Sequence, residues 1–184
     1  APFYFTKSPS AALDSGATLA YPPATTNFHF EMELVVAIGQ ATFNASPAQA
    51  SAAVYAYGCG LDMTRRDLQL AAREKGRPWD VGKDVEGSAV FGQLTKADQM
   101  DELGPQRIHL EVNGSVKQDA HLRDLIHGVG EIIEDLSTLY HLVPGDLIMT
   151  GTPAGVGPVV AGDHITGGID GLDPVELVIG PPGS

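Results

Sequence analysis

Residues 28–34 read Phe-His-Phe-Glu-Met-Glu-Leu, an alternation of apolar and polar side chains that fits a β-strand with one face in a core. Phe28, Phe30, Met32 and Leu34 would line the buried face, and His29, Glu31 and Glu33 would share the other. Carboxylates two positions apart on one face repel. Proteins tolerate such a pair when a cation lies between them, when one acid holds a proton, or when both are well solvated. Residues 35–39 are apolar, so the strand runs into a sheet interior and full solvation is the weakest of the three explanations. A divalent cation is the first expectation, and it calls for further hard oxygen ligands elsewhere in the chain.

Composition narrows the partners. With 23 acidic against 11 basic residues and a net charge of -12, the chain is a poor candidate for neutralising nucleic-acid phosphates. At 184 residues and 43% hydrophobic content it can bury one sizeable core as a single domain. Cys59 is the only cysteine, which excludes an internal disulfide, and no Cys/His cluster suggests zinc. A reduced, cytoplasmic setting is expected, with no membrane partner, because no apolar run reaches spanning length and the N-terminus lacks signal-peptide features.

In chain order, residues 3–6 predict a short strand ended by Pro9, and residues 18–21 an edge strand before Pro22-Pro23. Ser46-Pro47 allows a short turn of helix. Residues 52–58 predict a second buried strand, with Gly58-Cys59-Gly60 turning sharply so that Asp62 sits at a strand end. Thr64 and Asp67 have capping-box spacing, so a helix is expected from there to Lys75-Gly76, with Arg66 and Gln69 on one side of it, near Asp62. Residues 81–84 predict a loop in which Gly82 lets the backbone approach a neighbour. Asn113-Gly114 predicts a hairpin between residues 108–112 and 115–118.

Helical spacing of apolar residues runs from Leu122 to Leu142, and Pro144-Gly145-Asp146 ends it. Residues 146–150 predict a central strand opening into Gly151-Thr152-Pro153-Ala154-Gly155-Val156-Gly157, whose amides suit an anionic oxygen. Residues 162–180 predict two strands joined at Gly167-Gly168. The architecture expected is a single α+β domain over residues 1–184: a mixed, strongly bent β-sheet rolled into a sandwich, with a few peripheral helices.

Five stretches in order carry a resemblance: Glu31-Met-Glu33; Gly60-Leu-Asp62-Met-Thr-Arg-Arg66-Asp-Leu-Gln69; Gly76-Arg-Pro-Trp79; Gly82-Lys83; and Pro144-Gly-Asp146 through Gly151-Thr152-Pro153-Ala-Gly-Val-Gly157. Together they resemble the fumarylacetoacetate hydrolase family over nearly the whole chain, and within it the bacterial fumarylpyruvate or acylpyruvate hydrolases of the gentisate pathway. The resemblance implies that Glu31, Glu33 and Asp62 ligate Mg2+, with Mn2+ or Ca2+ as alternatives. It implies that Arg66 and Gln69 bind the carboxylate and keto oxygens of a keto-acid substrate. Lys83 would stand beside the metal as a catalytic and substrate-binding group, and Thr152 with its loop would hold the pyruvyl end. The implied reaction is hydrolysis of a carbon–carbon bond in a 1,3-diketo acid, with pyruvate leaving as a stabilised enolate, and a homodimer is the implied assembly.

Two departures qualify that expectation. The family carries, upstream of the strand matched by residues 3–6, a histidine and a glutamate that activate water; no stretch of this sequence matches them, so the expectation is either that an N-terminal lid segment is missing from it or that the protein works without that dyad. His29, which shares a face with Glu31, is the histidine nearest the site. Val85 and Val90 stand where an aromatic residue and a proline are expected. Without the resemblance, Glu31 and Glu33 read as a solvated strand face, Lys83 beside Asp84 as a solvated lysine, Gln69 as an ordinary helix residue and Arg66 as the partner of a nearby acid. Two other functions stay open: decarboxylation of oxaloacetate or a related 2-keto diacid, which passes through the same enolate without activated water, and a non-catalytic homologue that keeps metal and anion binding.

Overall fold

In a computed structural model, which describes residues 2–183, the chain is an α+β fold of three β-sheets with four short α-helices outside them. The strands are β1 (Ala12–Asp14), β2 (Ala17–Tyr21), β3 (Phe28–Phe30), β4 (Met32–Ile38), β5 (Val54–Asp62), β6 (Thr64–Arg65), β7 (Ala89–Phe91) and β8 (Thr95–Lys96), then β9 (Arg107–Val112), β10 (Ser115–His121), β11 (Leu147–Met149), β12 (Gly157–Val159), β13 (His164–Ile169) and β14 (Val175–Pro182). The helices are α1 (Pro47–Ala52), α2 (Arg66–Glu74), α3 (Asp80–Lys83) and α4 (Val129–Leu139). One sheet runs β1-β7-β5-β4-β11 with β8 added to β5, the second runs β10-β9-β13-β14-β2, and β12-β3-β6 form a small third. Parallel pairing at β1–β7 and β2–β14 makes the two larger sheets mixed, as expected.

Even-numbered residues of β3 and β4 make the core. Phe28, Phe30, Met32 and Leu34 pack with Leu61 and Val90 against Ile108, Leu110, Ile165, Leu177 and Ile179 of the facing sheet. Farther along the same strand, Val36 and Ile38 meet Ile132 and Ile133 of α4 and Ala50 of α1. The alternation therefore has the expected buried face, with one break: Glu31 belongs to neither strand, and separates β3 from β4.

Several glycines serve packing where a turn is expected. β5 runs straight through Gly58-Cys59-Gly60. A Cβ on Gly60 would lie 2.5 Å from Val35 Cγ2, so glycine is required there by the neighbouring strand. β13 likewise passes through Gly167-Gly168, over which Met32 and His109 pack. Three further expectations are corrected. Residues 3–6 form no strand, and Pro9 instead opens a 3-10 turn (Pro9–Ala11). Residues 81–84 are mostly helical, in α3. Residues 146–150 supply β11, an edge strand paired only with β4.

The long helix is shorter than its apolar spacing suggests. Leu122–Asp124 is a 3-10 turn, and α4 starts only after Gly128, whose N–H donates to the Glu131 carboxylate at 3.0 Å. Leu125 and Ile126 lie in the exposed loop between them. α2 also starts later than expected. Thr64 lies in β6 and does not cap it; Asp67 accepts hydrogen bonds from the Thr25 hydroxyl at 2.6 Å and the Thr26 N–H at 3.1 Å.

Candidate active site

Strand register brings the acids together. In the antiparallel β4–β5 pair, Met32 faces Leu61 and Glu33 faces Gly60, which sets Glu31 opposite Asp62; the Asp62 N–H donates to the Glu31 carbonyl at 2.9 Å. Residues opposite each other project from one face, so Glu31, Glu33 and Asp62 converge. Ligand oxygens from all three lie within 4.8 Å of one another. The carboxylates are 5%, 4% and 1% exposed, which rejects the reading of a solvated strand face.

Cations wall this cluster. Lys83, 2% exposed, sends its ammonium to Glu31 Oε2 at 2.8 Å, Asp62 Oδ2 at 2.5 Å and Thr64 Oγ1 at 2.8 Å, with the ring of Phe5 4.8 Å away. α3 delivers it by close packing, since a Cβ on Gly82 would lie 2.8 Å from the Gln69 backbone of α2. Lys7 enters from the N-terminal segment. Its Nζ is 2.8 Å from Asp62 Oδ1 and donates to Ser88 Oγ at 2.9 Å and to the Lys83 carbonyl. Burial lowers the Lys7 pKa, against the opposing pull of Asp62. Asp62 therefore holds an ammonium on each carboxylate oxygen, Lys7 on Oδ1 and Lys83 on Oδ2.

Arg66 closes the other side. One terminal nitrogen donates to Glu31 Oε1, the other to Gln69 Oε1 at 2.5 Å, and Nε to His29 Nδ1 at 3.4 Å. Because Arg Nε–H can only donate, His29 Nδ1 accepts, and its Nε2–H is left to donate to Asn27 Oδ1 at 2.8 Å. Both ring nitrogens are therefore engaged, and His29 orients Arg66 without a free nitrogen for proton abstraction. Burial, then the charge of Arg66, holds its pKa down at about 4. The unfolded ring titrates near 6.5, so protons taken up on unfolding remove stability as pH falls from 6.5 to about 4; the contribution is whole above 6.5. Imidazole nitrogen NMR is expected to show His29 as the Nε2–H tautomer at pH 5, and a charged ring at that pH would refute the arrangement.

Glu33 has no cationic partner among the described residues. It accepts one hydrogen bond, from the Gly151 N–H at 2.7 Å, and burial together with Asp62 and Glu31 pushes its pKa up to about 8. Glu33 is thus a buried third carboxylate held toward its neutral form by burial and two neighbouring acids, the place in the cluster where a bound divalent cation would favour the charged form. All the donors are hard oxygens. They fit Mg2+ or Mn2+ and not a soft metal.

Of the residues singled out in the sequence, Glu31, Glu33, Asp62, Arg66, Gln69 and Lys83 meet in this one cluster, and Arg66 pairs with Glu31, not with an acid of its own helix. Thr152 adjoins it through Gly151, its hydroxyl accepting from Gln118 at 2.7 Å. The sequence presents Thr64 as a helix cap and gives no signal that assigns Lys7, Ser88 or Gln118 to the site. A buried lysine before Ser8-Pro9 has no periodic signature, and Gln118 sits in what reads as an ordinary hairpin strand.

Comparison with known proteins places this geometry. The family described as fumarylacetoacetate (FAA) hydrolase C-terminal matches residues 1–179. The chain is 56% identical over 179 residues to a fumarylpyruvate hydrolase from a Ralstonia species, covering 97% of this chain and 93% of that protein. It is 33% identical over 181 residues to the human mitochondrial oxaloacetate tautomerase FAHD1, covering 98% of this chain and 82% of that one. The crystal structure of fumarylpyruvate hydrolase from Pseudomonas aeruginosa, in complex with Mn2+ and pyruvate, superposes with a TM-score of 0.93 at 43% identity, covering 98% of this chain and 79% of that one.

Proposed function

Because the chain belongs to the fumarylacetoacetate (FAA) hydrolase family, we propose that it hydrolyses a carbon–carbon bond of an acylpyruvate, converting fumarylpyruvate to fumarate and pyruvate. The observation that carries this reading is the convergence of three buried carboxylates beside Lys83 and Arg66. Glu31, Glu33 and Asp62 hold a divalent cation, Mg2+ by preference or Mn2+. When bound, that ion supplies Lewis-acid polarisation of the substrate's keto oxygens.

The chain's own residues do the rest. Arg66, its guanidinium fixed by His29 and Gln69, presents a cationic fork for the substrate's oxygens. Gln69 contributes its amide from the next turn of α2. Lys83 neutralises the charge that develops on the pyruvate enolate, and it does so from a buried position, where an ammonium acts with little screening. Thr152 and the glycine-rich loop hold the pyruvyl carboxylate. His29 is assigned no proton transfer. The same reading makes residues 1–184 one catalytic domain, and carries a homodimer, a cytoplasmic setting and a place in aromatic catabolism, all resting on the family resemblance.

The test measures pyruvate released from fumarylpyruvate and from oxaloacetate, before and after chelation and on return of Mg2+ or Mn2+. Release from fumarylpyruvate that falls about 100-fold on chelation and returns with metal is expected. No release, or faster release from oxaloacetate, would overturn the assignment in favour of decarboxylation or of binding without catalysis.

A further inference from the structure

Gln118 is fully buried on β10, a hairpin strand of the sheet that does not carry the acids. A β-bulge puts it there. Val116 pairs with Glu111 and Gln118 with the adjacent Leu110, leaving Lys117 as an extra residue. In a regular strand Val116 and Gln118 would share a face; here Val116 is 49% exposed and Gln118 is enclosed. The glycine-rich loop packs on this bulge. Gly155, at φ +101°, comes so close that a Cβ would lie 2.2 Å from the Lys117 carbonyl oxygen.

The amide of Gln118 has no freedom of assignment. Its Oε1 accepts from the Met32 N–H at 3.0 Å, and a backbone N–H can only donate. Its Nε2 donates to the Pro153 carbonyl at 2.8 Å, and a carbonyl can only accept. The orientation is thus fixed by two backbone groups, one of them between Glu31 and Glu33. The second hydrogen of Nε2 points to Thr152 Oγ1, 2.7 Å away. That hydroxyl must accept, so its own hydrogen is left to be given elsewhere.

We infer that Gln118 is a positioning residue that fixes the Thr152 hydroxyl as a hydrogen-bond donor toward a carboxylate oxygen of the substrate, while tying the glycine-rich loop to the strand between the two glutamates. The inference rests on the proposed reading of Thr152 as an anchor for the pyruvyl end. A hydroxyl whose hydrogen is already directed needs no reorientation on binding, and one such bond to a charged oxygen accounts for roughly a 10-fold change in affinity or more.

The experiment is a double-mutant cycle on the Mn2+-loaded chain, reading the Kd for pyruvate by titration alongside KM and kcat for fumarylpyruvate. Gln118→Met, close in length but without a donor, is expected to raise the pyruvate Kd and the KM about 10-fold, with a smaller change in kcat. Thr152→Val is expected to do the same. In the Thr152→Val background the Gln118→Met factor should shrink to less than 2-fold, whereas in Thr152→Ser, which keeps the hydroxyl, it should persist. An unchanged factor in the Thr152→Val background would show Gln118 acting only on structure, and would overturn the inference while leaving the Thr152 anchor intact. No effect of Thr152→Val alone would overturn the anchor and the inference with it. Should Gln118→Met fail to fold, a crystal structure of the native chain with Mn2+ and pyruvate decides. Thr152 Oγ1 must then lie within hydrogen-bond distance of both Gln118 Nε2 and a pyruvate carboxylate oxygen; a hydroxyl away from either one overturns the inference.

Discussion

Replacing Lys83 by methionine is expected to lower kcat for pyruvate release by about 10³, the upper end of what a directed charge-stabilising donor contributes. The same variant should melt well below the native chain when metal is removed. Lys83 places one buried ammonium against Glu31 and Asp62 at 2.8 and 2.5 Å, and its removal leaves two acids with less positive charge beside them. Breaking a buried pair in this way costs about 3–5 kcal/mol, or about 6–20 °C in Tm for a chain of this size. Methionine keeps most of the volume, so the loss reads charge and not a cavity. Added Mn2+ should restore most of the melting temperature, because a divalent cation returns the positive charge that the cluster lacks, but it should not restore turnover. Paired melting curves and pyruvate assays, with and without Mn2+, check both halves. A variant that recovers turnover with metal would show that Lys83 serves only to balance charge.

That division between charge balance and chemistry was partly legible in the sequence. Glu31 and Glu33 announce themselves by alternation, and Asp62 by its place just before a helix. Their convergence needs the β4–β5 register, which no single segment displays. Glycine is the ambiguous letter. Gly58-Cys59-Gly60 and Gly167-Gly168 read as turns because glycine permits turns, yet in both places it is there because Val35, Leu94, Met32 or His109 occupies the space of a side chain. Only the packed partner distinguishes the two uses.

Local signals also lose to tertiary ones. Thr64 and Asp67 have the spacing of a cap, but the Thr64 hydroxyl is held by Glu31, the Asp62 carbonyl and Lys83, where its polar atoms are buried and satisfied. Leu125 and Ile126 continue a helical period that the backbone does not follow, since Gly128 and Glu131 set the start of α4. Gln118 is the extreme case. Its burial depends on one extra residue in a hairpin whose turn, Asn113-Gly114, is the plainest signal in that part of the chain. A bulge changes the face without changing the pattern, so no reading of periodicity would have found it.

Asp62→Asn should separate metal binding from the cationic wall in the opposite sense to Lys83→Met. Asp62 is the carboxylate shared by two lysines, with Lys83 at 2.5 Å and Lys7 at 2.8 Å, and it is 1% exposed. An amide of the same shape keeps the packing but removes the one negative charge between two buried ammonium groups. Lys7, whose pKa burial already lowers, then has no ionic partner among the described residues and loses its proton more readily. The metal-free variant should lose about 3–5 kcal/mol, as Lys83→Met does. Here, however, Mn2+ should not rescue it. The added cation would enter a site with one ligand charge fewer and two ammonium groups less well compensated, so binding and stabilisation fail together and pyruvate release falls by about 10³ or more. Titration of Mn2+ followed by its electron paramagnetic resonance signal, alongside melting curves, tests this. If Asp62→Asn binds Mn2+ with native affinity, Asp62 holds the lysines and not the metal, and the ligand set reduces to Glu31 and Glu33.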